Sequence, residues 1–255
     1  MFSADQLASS VQEYYWPFLR ISALFLASPI FSASAVPVRL RVFMALSITA
    51  LIVPSLPPLP DIDPLGPKGI LVAGQQLMIG AAMGFIVQMI FGAVVIAGQS
   101  LAMTMGLGFA MSVDPQNGVQ VPVLSQLYVI LATLIFLAVN AHLVLIGYLV
   151  ESFTLLPIGP WGWRSDFGLD VVLWGSQMFV SALMLALPAL TAVLLINIAF
   201  GVITRAAPQL NIFAVGFPVT IMAGFIFIFL TMPSVFNLLE YMFDTGLKQA
   251  FSILR

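Results

Sequence analysis

Apolar residues run along this chain in long blocks, and the few charges fall where the blocks end. Charge-free runs of this length predict helices that cross a bilayer. Six are legible: Ile21–Val38, Val42–Pro54, Ile70–Met103, Val123–Val150, Val171–Thr204 and Ile212–Leu239. The first has an earlier possible start near Tyr14, where Tyr14, Tyr15 and Trp16 form an aromatic cluster suited to a membrane interface. As a helix the third would be roughly 50 Å long at about 1.5 Å per residue. A hydrocarbon core is about 30 Å thick, so this helix must tilt, bend or rise out of the membrane. Pro188 predicts a kink in the fifth block, and Pro218 and Pro233 lie near the ends of the sixth. The expected fold class is all-α: an integral membrane-type subunit with about six long apolar helices, some kinked or broken.

The connections are equally plain. Prolines 54, 57, 58, 60, 64 and 67 make an extended, rigid linker that carries Asp61 and Asp63. Leu156–Asp170 holds Pro157, Pro160, Trp161, Trp163, Arg164, Asp166 and Asp170, an acidic connection with interfacial aromatics. The positive-inside rule places Arg39, Arg41 and Arg205 in the cytoplasm, with both acidic connections and both termini outside. Glu240, Asp244 and Lys248 recur every four residues near the end. They predict a solvated face on a helix leaving the membrane, with Asp244 and Lys248 in the favourable order for a pair.

Composition reinforces this picture. The chain is 61 % apolar and 7 % charged, with mean hydropathy +1.11. A soluble domain of this length needs far more surface charge. A net charge of −2 offers no basic field for nucleic acid. Cysteine is absent and His142 is the single histidine, so no cysteine nucleophile, thiolate site or histidine metal cluster can form. The sequence contains no G-x-S-x-G, H-E-x-x-H or G-x-x-x-x-G-K, and its ionisable groups are scattered, so neither an enzyme nor a cofactor is expected. The first ten residues lack Lys and Arg, so the basic start of a cleavable signal peptide is missing and the chain is expected to enter the membrane by its own spans.

Three places could carry function. Between Lys68 and Glu151 only Asp114 is formally charged, and it lies in a Gly- and Met-rich break, Thr104–Gly118. One reading is an exposed connection with a turn at Asp114-Pro115. Another is a re-entrant loop of a secondary transporter that uses Asp114. The third is an apolar plug in which Met103, Met105, Phe109 and Met111 form an adaptable seal, with Gly106 and Gly108 letting it move. Residues alone leave these open. Gly80, Gly84, Gln88 and Gly92 share a four-residue register, which predicts close helix packing, within the chain or against a partner, with Gln88 paired on that buried face. Arg205, Pro208, Gln209 and Asn211 mark a short turn between the last two blocks, with Arg205 either a topology anchor or a contact for a cytoplasmic partner. His142, beside Asn140, reads as a satisfied interhelical hydrogen-bonding group.

Taken in order, several stretches resemble the FliR family of flagellar export-gate subunits, homologous to the SctT subunits of virulence type III secretion. They are R-I-S-A-L-F-L-A-S-P-I-F (Arg20–Phe31), V-P-V-R-L-R-V (Val36–Val42), G-L-G-F-A-M-S-V-D-P-Q-N-G (Gly106–Gly118), P-V-L (Pro122–Leu124), N-A-H-L (Asn140–Leu143), L-P-I-G (Leu156–Gly159) and R-A-A-P-Q-L-N-I-F-A-V-G-F-P (Arg205–Pro218). Ala141 stands where that family commonly has glycine. The resemblance implies a subunit that assembles with FliP and FliQ into a helical gate, with FlhB and FlhA in the same apparatus and unfolded flagellar subunits as cargo. It implies a bacterial inner-membrane location with part of the assembly on the periplasmic side. It further implies a FliP-like part over 1–170, a FliQ-like helix pair over 171–255 with Arg205 on the cytoplasmic side, and a plug at Gly106–Pro122.

Overall fold

The computed structural model describes residues 4–57, 62–64, 66–108, 123–159, 167–207 and 212–254. Among them there are seven α-helices and no strand. These are α1 (Ala4–Ala27), α2 (Val38–Ile52), α3 (Pro67–Thr104), α4 (Val123–Ala138), α5 (Ala141–Leu155), α6 (Phe167–Ala206) and α7 (Ile212–Ser252), with a short 3-10 turn at Val53–Ser55 after α2.

Proline and glycine chemistry sets most of the ends. α1 stops at Ala27, one residue before Ser28-Pro29, because a proline disfavours helical geometry in the residue before it. Pro37 then sits at the position before α2 with φ −57° and ψ 141°. The charge-free run Ile21–Val38 is therefore not one span: its helix begins upstream at Ala4 and ends at Ala27. Trp16, expected at an interface, is instead fully buried by the chain's own residues. Arg41, expected only to mark a cytoplasmic side, donates from Nε to the Phe31 carbonyl at 3.0 Å and from Nη2 to Val36 at 3.4 Å, which ties down the 28–37 connection.

The expected block Val123–Val150 is also divided. Asn140 adopts φ 56°, the left-handed region, and separates α4 from α5. Asparagine is one of the few residues that visits this region at low cost. Its carbonyl then accepts from the Leu143 and Val144 N–H groups at 2.9 and 3.2 Å, starting α5. The Nδ1 of His142 is buried and finds no partner among the described residues, contrary to the satisfied role expected for it.

Among the described residues four helical segments are long and apolar enough to cross a membrane, Val38–Ser55, Pro67–Thr104, Phe167–Ala206 and Val215–Ser252, and a fifth candidate is the broken pair α4–α5. α3, α6 and α7 contain 38, 40 and 41 residues, so all three, and not only the third, exceed the hydrocarbon thickness at about 1.5 Å per residue.

Packing sorts the chain into two compact units: Met1–Met89 with Asn140–Gly175 and Phe243–Arg255, and Ile90–Val139 with Ser176–Met242. In the first unit α1 lies against the start of α3, and Phe25 stacks on Phe31 with centroids 4.3 Å apart. The end of α7 docks there too: Phe243, Leu247 and Ala250 are buried, and Phe251 stacks on Tyr148 of α5 at 4.7 Å. The expected solvated face, Glu240, Asp244 and Lys248, is exposed on this same docked helix. In the second unit Gly98 of α3 lies against the Ser125 backbone of α4, and Ser125 Oγ donates to the Val95 carbonyl at 3.1 Å. Small residues permit this close approach.

Candidate functional site

Within the second unit, α3 stops in the middle of an apolar sequence, and a glycine stops it. Gly106 has φ +83°. Its N–H donates to Met103 O at 3.1 Å, and the Leu107 N–H donates to Ala102 O at 2.9 Å. This pair of bonds, closed over a left-handed glycine, is a Schellman stop. It satisfies two of the open carbonyls at the helix end. The next two are met by other helices. Asn197 Nδ2 of α6 donates to Thr104 O at 3.1 Å, and the Thr220 hydroxyl of α7 is shared between Phe217 O at 3.0 Å and Met105 O at 3.5 Å. A helix end in apolar surroundings has no water to turn to, so such side chains are the available donors.

Apolar contacts seat the same joint. Met105 is fully buried against Gly224, where a Cβ would lie 2.5–2.7 Å from three of its side-chain atoms. The Phe217 ring lies directly on Gly106 and leaves no room for a side chain there. Phe217, Thr220 and Gly224 fall at i, i+3 and i+7 of α7 and so share one helix face.

The residues expected to seal a channel therefore divide. Met105 is packed inside the joint, Gly106 forms the stop, and Met103 is exposed with its sulfur over Gly108. Phe109, Met111, Asp114, Pro115, Gly118 and Pro122 lie outside the described residues. The packing register divides as well. Gly80 meets the Arg20 carbonyl of α1, and Gly84 meets Leu24 and Ala27; a Cβ at Gly84 would lie 2.7 Å from that of Ala27. Gln88 is exposed rather than buried, and a Cβ at Gly92 would lie 2.9 Å from the Met178 sulfur. A four-residue step overshoots a helical turn by about 40°, so positions drift off the face on which Gly80 and Gly84 lie. Arg205 is exposed in the last turn of α6, where a cation complements the helix dipole, while Pro208, Gln209 and Asn211 lie outside the described residues.

A second joint, in the first unit, is built on charge. Arg20 is fully buried. Its Nε donates to Gln76 Oε1 at 2.8 Å, Nη1 donates to the Ser152 carbonyl and hydroxyl at 2.8 and 2.9 Å, and Nη2 donates to Leu156 O at 2.8 Å. The guanidinium lies 4.2 Å from the Phe153 ring centroid. Two of these acceptors are backbone carbonyls at the end of α5, so Arg20 of α1 caps that helix where its dipole favours a cation. Arg20 was visible in the sequence only as one charge beside an apolar block. Asn197, Phe217, Thr220 and Gly224 gave a fainter signal: two isolated polar side chains in apolar helices, each needing a partner.

A profile of the family described as "Bacterial export proteins, family 1" matches residues 11–246. The chain belongs to the FliR family of bacterial export proteins. It is 41 % identical over 242 residues to the flagellar biosynthetic protein FliR of Escherichia coli K12, covering 95 % of this chain and 92 % of that protein. It is 36 % identical over 243 residues to FliR of Pectobacterium carotovorum, covering 95 % and 93 %. With FliR of Bacillus subtilis 168 it shares 29 % identity over 240 residues, covering 93 % and 92 %. The joint at Thr104–Gly106 stands at the start of the stretch Gly106–Pro122, where the resemblance led a plug to be expected.

Proposed function

We propose that this chain is the FliR subunit of a flagellar export gate in the bacterial inner membrane, that it forms a protein-conducting channel with FliP and FliQ, and that Gly106–Pro122 plugs this channel. The single observation that carries the reading is a family match running from residue 11 to 246, with E. coli FliR aligned to 95 % of the chain. Two physical features support it. α6 and α7 bury only 28 % and 22 % of their most apolar windows, so lipid or other apolar subunits must cover the rest. α3 ends in a firm stop directly before the plug stretch. FlhB associates with the gate and FlhA belongs to the same apparatus; unfolded flagellar subunits are the cargo, and part of the assembly stands on the periplasmic side. Transport needs no chemistry from this chain, because its task is to open and seal.

The test is deletion of Gly106–Gly118 in cells that still assemble the gate. Leakage of ions or small solutes through a complex of unchanged composition is expected. An unchanged leak in a correctly assembled complex would overturn the plug. Loss of the complex itself would make the segment a scaffold for assembly.

A further inference from the structure

We propose that the end of α3, through Gly106, is a fixed mooring, held by Asn197 of α6 and by Phe217, Thr220 and Gly224 of α7, and that it keeps its place on these two helices during transport. The carbonyls of the last turn are each accounted for: Ala102 and Met103 by the glycine stop, Thr104 by Asn197 at 3.1 Å and Met105 by the shared Thr220 hydroxyl. Met105 fills the space left open by Gly224, and Phe217 closes over Gly106. Moving this end would uncover a methionine and free backbone carbonyls in apolar surroundings, which is costly where water is scarce. By contrast the side chain of Met103, two residues earlier, is exposed at 54 % and takes no part in the packing of Met105 on Gly224. Asn197, Phe217, Thr220 and Gly224 are thus positioning residues. They set where the plug begins, and they couple its root to the last two helices. The inference rests on reading Gly106–Pro122 as the plug.

The first arm of the test measures passive ion leak of the assembled FliP-, FliQ- and FliR-type complex carrying Asn197→Leu or Phe217→Ala. An increase of about tenfold is expected at unchanged amounts of complex, the population shift that follows loss of one buried hydrogen bond or contact. A wild-type leak, in an assay where deletion of Gly106–Gly118 does leak, overturns the mooring. The second arm does not depend on the plug. In the double variant Met105→Cys with Gly224→Cys, the new side chains start close enough for a disulfide, since a Cβ at 224 lies 2.7 Å from Met105 Cγ. The oxidised complex is expected to export flagellar subunits at the same rate as the same double variant held reduced. If oxidation stops export and reduction restores it, the root moves during transport and the mooring is wrong. If deletion of Gly106–Gly118 does not leak while the oxidised pair still exports, the plug reading fails and the mooring stands.

Discussion

α3 and α5 both end inside apolar surroundings, and they solve the same problem with different chemistry. The end of α5 is capped by two nitrogens of a buried guanidinium at 2.8–2.9 Å, while the third nitrogen donates to Gln76 of α3 at 2.8 Å. The end of α3 is capped by a glycine stop, an amide and a shared hydroxyl, at 2.9–3.5 Å. Charged donors give shorter, stronger bonds than neutral ones. A buried cation also carries a large desolvation cost and must keep all its acceptors in place. The α5 joint is therefore all-or-none and suits a static core. The α3 joint is built from neutral, separable parts, so each single substitution there removes only one of them.

The largest effect that would break this contrast is at Arg20. Arg20→Ala strands Gln76, Ser152 and the Leu156 carbonyl, and a cost on the order of 3–5 kcal/mol is expected, enough to abolish accumulation of the complex. Arg20→Lys keeps the charge without the fork and is expected to recover only part of the thermal midpoint of the detergent-purified complex. If Arg20→Met accumulates and melts like the wild type, the charged cap is not the core of its unit.

Next in size are substitutions that drive α1 from α3. Gly80→Leu places a side chain on the Arg20 carbonyl and Ala23, and is expected to cost about 1–3 kcal/mol by overpacking, read as a lower midpoint. Gly147→Ala in α5 is the matched control, because nothing lies within 4 Å of a Cβ there. It should stabilise slightly, by up to about 1 kcal/mol, through helix propensity. Equal effects at the two glycines would mean that α1 is not held by close approach. Asn197→Leu should cost about 1 kcal/mol, the worth of a neutral hydrogen bond, and so fall well below Arg20→Ala in the same assay. A loss as large as that of Arg20→Ala would erase the distinction between the two joints.

Much of this was legible in the pattern of apolar blocks. The blocks gave the helical class and nearly the full list of long helices, because a charge-free run of that length has few other uses. They misplaced the first span because the run was read without weighing Pro29 and Pro37, which end and restart the helix. They missed the division at Asn140 because a left-handed asparagine leaves hydropathy unchanged. At the candidate site, Gly106 was read as a source of mobility, yet its φ of +83° and the two bonds donated by the Gly106 and Leu107 N–H groups form a helix stop there. A Met-Gly-Leu sequence after an apolar helix is itself a signal for that stop. Arg20, Asn197 and Thr220 stayed hidden for another reason. Their partners lie 56 to 136 residues away for Arg20, and 93 and 115 residues away for the other two, and only folding reveals such pairs.

The smallest expected effect lies at the end of α7. Lys248 Nζ approaches Asp244 Oδ2 to 2.6 Å, a shorter contact than any in the Arg20 joint. Yet the two side chains are 66 % and 56 % exposed, so water and salt screen the pair and its ordering costs side-chain entropy. Distance alone would rank this pair first, whereas burial ranks it last. The helix that carries it is held by its other face, where Phe243, Leu247 and Ala250 are buried. Lys248→Met should leave the thermal midpoint and the yield of complex unchanged at any salt concentration. A salt-dependent loss would show that this face is covered in the assembled protein, by a partner that reads its charge.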